Sequence, residues 1–144
     1  MENSEFQRCE ERNKIVKLEK AETLVPKEIE LADNDLNFSK ESFLDNNYKW
    51  SIIQSYYSMF HTARALLYNK GYREKSHFCL IEAIRSLYVQ EGILNFKFLE
   101  ALQLGKSLRE NADYYGDFSK QSADELMKVA SEFLNEVKAI LFNC

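Results

Sequence analysis

Residues Tyr48–Asn69, YKWSIIQSYYSMFHTARALLYN, carry more apolar surface than one face of a helix can hold. Ile52, Tyr56, Met59, Ala63 and Leu66 recur at helical spacing, and Trp50, Ile53, Tyr57, Phe60 and Leu67 form a second stripe beside them. A surface helix carries one apolar stripe of about 100°. Two adjacent stripes require neighbours on two sides, so the segment predicts the central helix of a bundle. The third side is small and polar: Ser51, Ser55, Ser58 and Thr62. Such a stripe lets another backbone approach closely, either from this chain (the last helix is one candidate) or from a second copy. Gly71 then predicts the end of the helix, because glycine readily takes the left-handed cap conformation.

The flanking sequence supplies further helices. Pro26 suits a first helical turn, where its missing N–H is not needed. A first bundle helix is expected over Pro26 to Asp45, with Ile29, Ala32, Leu36 and Phe43 on one face and Leu31, Phe38 and Leu44 beside it. The short Asp45-Asn46-Asn47 link predicts an antiparallel hairpin with the central helix. Ser76 is the expected cap of a helix over Ser76–Gln90 that buries Phe78, Ile81, Ile84, Leu87 and Tyr88. Asn95 caps one over Phe96–Ala112, with Phe98, Leu99, Leu102 and Leu108 inward. Asp113 to Phe118 reads as a loop. Ser122-x-x-Glu125 is a capping-box pattern opening a last helix with Leu126, Ala130, Phe133, Val137 and Ile140 inward. The expected fold class is all-α, an antiparallel up-and-down bundle of about five helices. Residues 1–25 read as a charged extension, either a docked helix, a partner-binding arm or a disordered lead, and residues 26–144 as the bundle.

Composition narrows the function classes. One proline and four glycines in 144 residues favour long helices over an all-β fold. The net charge of −4 supplies no global basic field, so a sequence-blind grip on duplex nucleic acid is not expected; a local basic patch remains open. No apolar run approaches the roughly 18 residues of a membrane span, and the charged first twenty residues do not read as a signal peptide. Cys9, Cys79 and Cys144 are widely spaced, with no CxxC pattern. No disulfide framework is expected from them, Cys79 reads as a core residue beside Phe78, and a reducing compartment, the cytoplasm, follows. The two histidines, His61 and His77, have no obvious partners for a metal set. Neither metal nor cofactor is expected.

The run SYYSMFHTARALLYNKGYREKSH, Ser55 to His77, resembles the signature of small stand-alone HEPN-domain proteins: a central helix reading YYxMFHxARxLL, a glycine-containing loop and a Ser/Thr-His pair. The block Arg109-Glu-Asn-Ala-Asp113-Tyr114-Tyr-Gly-Asp117-Phe resembles the same family's RxxADY stretch before its last helix. The resemblance covers about Pro26 to Leu141. It implies a helical bundle, dimerisation and a choice between two roles. Catalytic members are metal-independent ribonucleases, often toxins paired with a small nucleotidyltransferase antitoxin. Their motif is an arginine followed, after four to six residues, by a histidine. Histidine exchanges the proton of the RNA 2′-hydroxyl, and arginine steadies the phosphate.

Here Arg109 stands at the arginine position and Tyr114 where the histidine is due, with Asp113 before it. A tyrosine, with a reference pKa near 10, is a poor proton acceptor at neutral pH. The expected function is therefore a non-catalytic module that binds nucleotide, single-stranded RNA or a protein partner such as an antitoxin or nucleotidyltransferase. The alternative is a HEPN ribonuclease with an altered site, with Arg109, Tyr114 and His77 as its catalytic candidates. Arg109, Asp113 and Tyr114 are expected to meet His61 or His77 in one polar cleft. Arg73 and Lys75 would form its basic lip, and Tyr114 or Tyr115 a stacking face. Arg64 interrupts an apolar stripe and needs an acid, for which Asp113 and Asp117 are candidates. A homodimer is expected, with the small polar stripe as one place for its interface.

Overall fold

The computed structural model describes residues 4–142. Its helical elements are α1 (Glu5–Glu11), a 3₁₀ turn (Ala21–Leu24), α2 (Val25–Leu44), α3 (Tyr48–Asn69), α4 (His77–Ile84) continued by a π-helical turn (Arg85–Val89), α5 (Phe96–Tyr115) and α6 (Lys120–Phe142). Two short strands, β1 (Ile15–Lys17) and β2 (Tyr72–Glu74), pair antiparallel with Ile15 opposite Glu74 and Lys17 opposite Tyr72. The fold is an all-α bundle with this small ribbon at one side.

Helix α3 lies at the centre. Ile52, Tyr56, Met59, Ala63 and Leu66 are all buried, against α5 and α6 among others. The small polar stripe is buried as well, and α2 is what covers it. Ser39 Oγ donates to the Ser51 carbonyl at 2.9 Å, Ser51 Oγ donates back to the Ser39 carbonyl at 3.0 Å, and Ser58 Oγ donates to the Ala32 carbonyl at 2.8 Å. At Ser51, Ser55 and Ser58 the stripe therefore receives α2, and its full burial leaves no room for a second copy. Small hydroxyls satisfy one another and the backbone where two helices come close, so nothing polar is stranded. The second stripe is only half covered: Ile53 and Leu67 are buried, Phe60 is partly so, and Trp50 and Tyr57 reach the surface.

The turn between α2 and α3 is as short as expected, with Asn46 at φ 61° completing it. Phe38 and Leu44, expected beside the α2 core face, are exposed. In α4 the Ser76 cap forms, its Oγ accepting the Cys79 N–H at 3.1 Å, but Phe78 points to solvent. The helix then loosens into a π turn, which re-aims side chains late in the segment. Tyr88 is buried there and its hydroxyl donates to the Leu66 carbonyl at 2.7 Å. Helix α5 runs on to Tyr115, because the left-handed residue that stops it is Gly116, at φ 63°. Asp113 to Tyr115 are thus helical rather than loop. Helix α6 begins before the expected box: Ser119 Oγ accepts the Ser122 N–H at 3.0 Å, so Ser119 caps and Ser122 lies inside.

The segment before α2 packs on the bundle. Phe6 meets Tyr72 edge to face, and β1 pairs with β2. Cys9 and Cys79 form a disulfide, both residues buried. That corrects the reading of three unpaired cysteines. Seventy residues separate the two in sequence, and only the docking of α1 on α4 brings them together. The cysteines consequently give no support to a reducing compartment. Cys144 lies outside the described residues. No helix among the described residues is long and apolar enough to cross a membrane.

Candidate functional site

A cavity of about 440 Å³ opens between α3, the β2–α4 junction and α5. Its lining includes Tyr56, Tyr57, Lys75, His77, Lys106 and Arg109. Each element places its residues by simple periodicity. Lys106 and Arg109 are three apart on α5 and share a face. Lys75, Ser76 and His77 are the link that carries β2 into α4. Gly105 lets α5 lie close: a Cβ there would come 3.4 Å from Tyr56 Cδ1 and 3.3 Å from Leu126 Cδ1.

The chemistry of the cavity centres on two buried donor-capable nitrogens. His77 Nδ1 lies 2.9 Å from the Tyr56 hydroxyl, while its Nε2 is buried with no protein partner. Arg109 Nε is likewise buried and unpartnered. The Arg109 guanidinium lies 5.3 Å from the Tyr57 ring, 5.8 Å from that of Tyr114 and 5.9 Å from that of Tyr56. Its one acid, Asp113, stands 3.7 Å away, too far for a hydrogen bond. Burial, with help from the Lys106 charge, lowers the His77 pKa to about 4. Burial also pushes the Tyr56 phenol up to about 12, against the pull of Arg109. At neutral pH the pair is therefore a neutral imidazole and a neutral phenol.

His61 belongs to a different cluster. Its Nδ1 is 2.7 Å from Glu28 Oε2, and its Nε2 is 3.7 Å from Asp35. Burial pushes the Asp35 carboxyl up, with His61 opposing. Arg64 donates from Nε and Nη2 to the two oxygens of Glu74, at 3.2 and 2.8 Å, and approaches Glu28 at 3.8 Å. The acids expected to pair with Arg64, Asp113 and Asp117, are not its partners; Glu74 reaches it because β2 folds back along α3. Burial opposes the Arg64 charge, and the Glu74 hydrogen bonds and the two carboxylates outweigh it, so its pKa is raised. This network uses up its charges.

Of the expected cleft, then, Arg109, His77 and Lys75 line one cavity, while Asp113 and Tyr114 stand beside Arg109 on α5 without lining it. His61 does not join them. Arg73 is exposed on the strand face opposite Glu74, and Tyr115 is largely exposed beyond the cavity. Tyr56, Tyr57 and Lys106 were not among the expected site residues. The i, i+3 spacing of Lys106 and Arg109 was the available signal for Lys106; Tyr56 reads only as core until α4 is placed beside it. Among the described residues no group of His, Cys, Asp and Glu could hold a metal.

The HEPN-domain family model matches residues 26–140. The chain belongs to the HEPN-domain family. Two proteins of Methanocaldococcus jannaschii are similar to this HEPN chain. One, named "Putative toxin MJ0605", is 29% identical over 114 residues, covering 78% of this chain and 85% of that protein. The other, named "Putative toxin MJ0142", is 28% identical over 117 residues, covering 80% of each. The matched region begins at α2. The disulfide-tethered α1 and β1 therefore lie outside the HEPN match. Within it, His77 reaches the cavity from the start of α4 and Arg109 from α5.

Proposed function

We propose that this HEPN-domain protein belongs to a toxin-type system and binds the phosphates of single-stranded RNA or a nucleotide in the His77–Arg109 cavity without cleaving them. The observation that carries the reading is the pair of buried, unpartnered nitrogens, Arg109 Nε and His77 Nε2, on two residues that line one cavity with Lys106 and Lys75. Buried polar atoms without partners are rare in folded proteins and call for a ligand or water to complete them. Cations and N–H donors suit phosphate oxygens, and Tyr57 and Tyr114 offer rings for a base. Cleavage is disfavoured by the low His77 pKa: at neutral pH the ring is the uncharged imidazole, which lacks the acidic imidazolium proton and is a weak base.

The second reading, a ribonuclease with a displaced histidine, draws on the neighbourhood of His77 and Arg109 and on the relatives' toxin names. One incubation separates the two. Labelled single-stranded RNA mixed with the full chain should shift in mobility and remain intact. Cleavage products that disappear in His77→Ala would instead establish the enzyme.

Homodimerisation and pairing with a small nucleotidyltransferase or antitoxin belong to the same proposal. With the serine stripe occupied by α2, the exposed Trp50–Tyr57 side of α3 is the face we assign to the second copy. The α1–β1 segment serves as a buttress for the cavity edge, since β1 holds the strand that leads into Lys75 and His77. An RNA-directed role places the protein in the cytoplasm. Burial of both cysteines limits the access of thiol reductants to the Cys9–Cys79 bridge there.

A further inference from the structure

We infer that the cavity is built for a terminal phosphate monoester, with Tyr56 as the positioning residue that holds His77 as a hydrogen-bond donor. This rests on the phosphate-binding reading above and narrows it to one kind of phosphate.

The tautomer follows from the hydrogen bond. Tyr56 is 5% exposed, and its hydroxyl has His77 Nδ1, at 2.9 Å, as partner. A buried O–H left without an acceptor is costly. Donation from Tyr56 to Nδ1 satisfies both atoms and puts the imidazole proton on Nε2. The alternative, Nδ1–H donating to the phenol, strands the phenolic hydrogen. The phenol's high pKa keeps that proton in place through the neutral range. Nε2–H is then a donor aimed at no protein atom.

The donor inventory favours a phosphate end over an internal linkage. His77, Arg109, Lys106 and Lys75 line one cavity, and the Arg109 Nε–H and His77 Nε2–H are buried beside it without protein partners. The one carboxylate in its lining, Glu74, is already held by both of its oxygens to Arg64. Glu110 holds Lys106 at 3.3 Å without consuming all three ammonium hydrogens. A phosphodiester offers two free oxygens and one charge. A terminal monoester offers three oxygens and, at neutral pH, about 1.5 to 2 charges. It matches both the number of donors and the excess of cations. The N-terminus of α4, at Ser76 and His77, adds the positive end of a helix at the same edge.

The test uses three RNA hexamers, internally labelled, with a 5′-phosphate, a 3′-phosphate or hydroxyls at both ends. Their affinities for the full chain are measured by anisotropy at one salt concentration. One phosphorylated hexamer should bind about tenfold tighter than the hydroxyl hexamer, and which one does so identifies the end. Tyr56→Phe should cut that preference to less than about threefold. In the parent, the ¹⁵N spectrum of His77 should show an unprotonated Nδ1 and a protonated Nε2, and Tyr56→Phe should mix the tautomers. Equal binding of all three hexamers, or a protonated Nδ1 in the parent, would overturn the inference and leave RNA binding standing. Binding of none would overturn the proposed function itself. The hexamer comparison and the parent spectrum need no variant, so they decide the matter even where Tyr56→Phe fails to fold.

Discussion

His77 makes the stability of this chain depend on pH in a defined direction. Its pKa falls from an unfolded value near 6.5 to about 4 in the fold. Between those values the unfolded chain binds the extra proton, so stability from this residue is full above about pH 6.5 and is lost as pH falls toward 4. Thermal midpoints measured across that window should drop for the parent, and His77→Gln should flatten this part of the acid limb. Arg64 gives a second residue-scale expectation. Removing it leaves Glu74, nearly buried, without its cation, while Glu28 keeps only its His61 contact. Arg64→Ala should cost about 3 kcal/mol, read from the shift of a denaturant midpoint at constant slope. That Arg64 needed an acid was legible in its place among apolar residues. Which acid was not, because Glu74 comes within reach only through the turn at Gly71, where φ is 85°, and the β1–β2 pairing.

At the scale of elements, helical periodicity located α3 and the inward faces of α5 and α6, since their buried residues recur at the spacing read from the sequence. It failed where the covering element was itself unforeseen. The serine stripe announced a close helix–helix contact without naming α2. In the α4 segment Phe78, in the first turn, faces out, whereas Leu87 and Tyr88 in the π turn pack inward as expected. A three-residue strand such as Ile15–Lys17 is too short to show a period, and the Cys9–Cys79 bridge depends on it and α1 being docked. The bridge closes a long loop, with a sequence separation of 70. On the chain-entropy model a loop of that length stabilises by about 4 kcal/mol, and native bridges typically contribute 2–4. Replacing both cysteines by serine should therefore lower stability by about 2–4 kcal/mol. Urea titrations of the parent with and without reductant should reproduce the loss. An unchanged midpoint would mean that the extension is held by Phe6 and the ribbon alone.

At the scale of the whole molecule, the bundle was legible because apolar stripes report burial directly. The cavity was legible only in part, because it forms where α3, α4 and α5 meet and its key partner, Tyr56, looks like core from the sequence alone. The assembly expectation also belongs here. Light scattering at about 50 µM, a range where modest interfaces associate, should give a dimer mass, and Trp50→Glu should give a monomer if the exposed α3 face carries the contact. The central claim is that Arg109 is a ligand-binding cation and not scaffold. Its most direct test is an anisotropy titration of labelled single-stranded RNA against the parent and Arg109→Ala, with thermal midpoints of both. The account predicts at least about a tenfold loss of affinity with a nearly unchanged midpoint. Equal affinity in the two proteins, or a variant that unfolds early from a parent that binds no RNA, would contradict it.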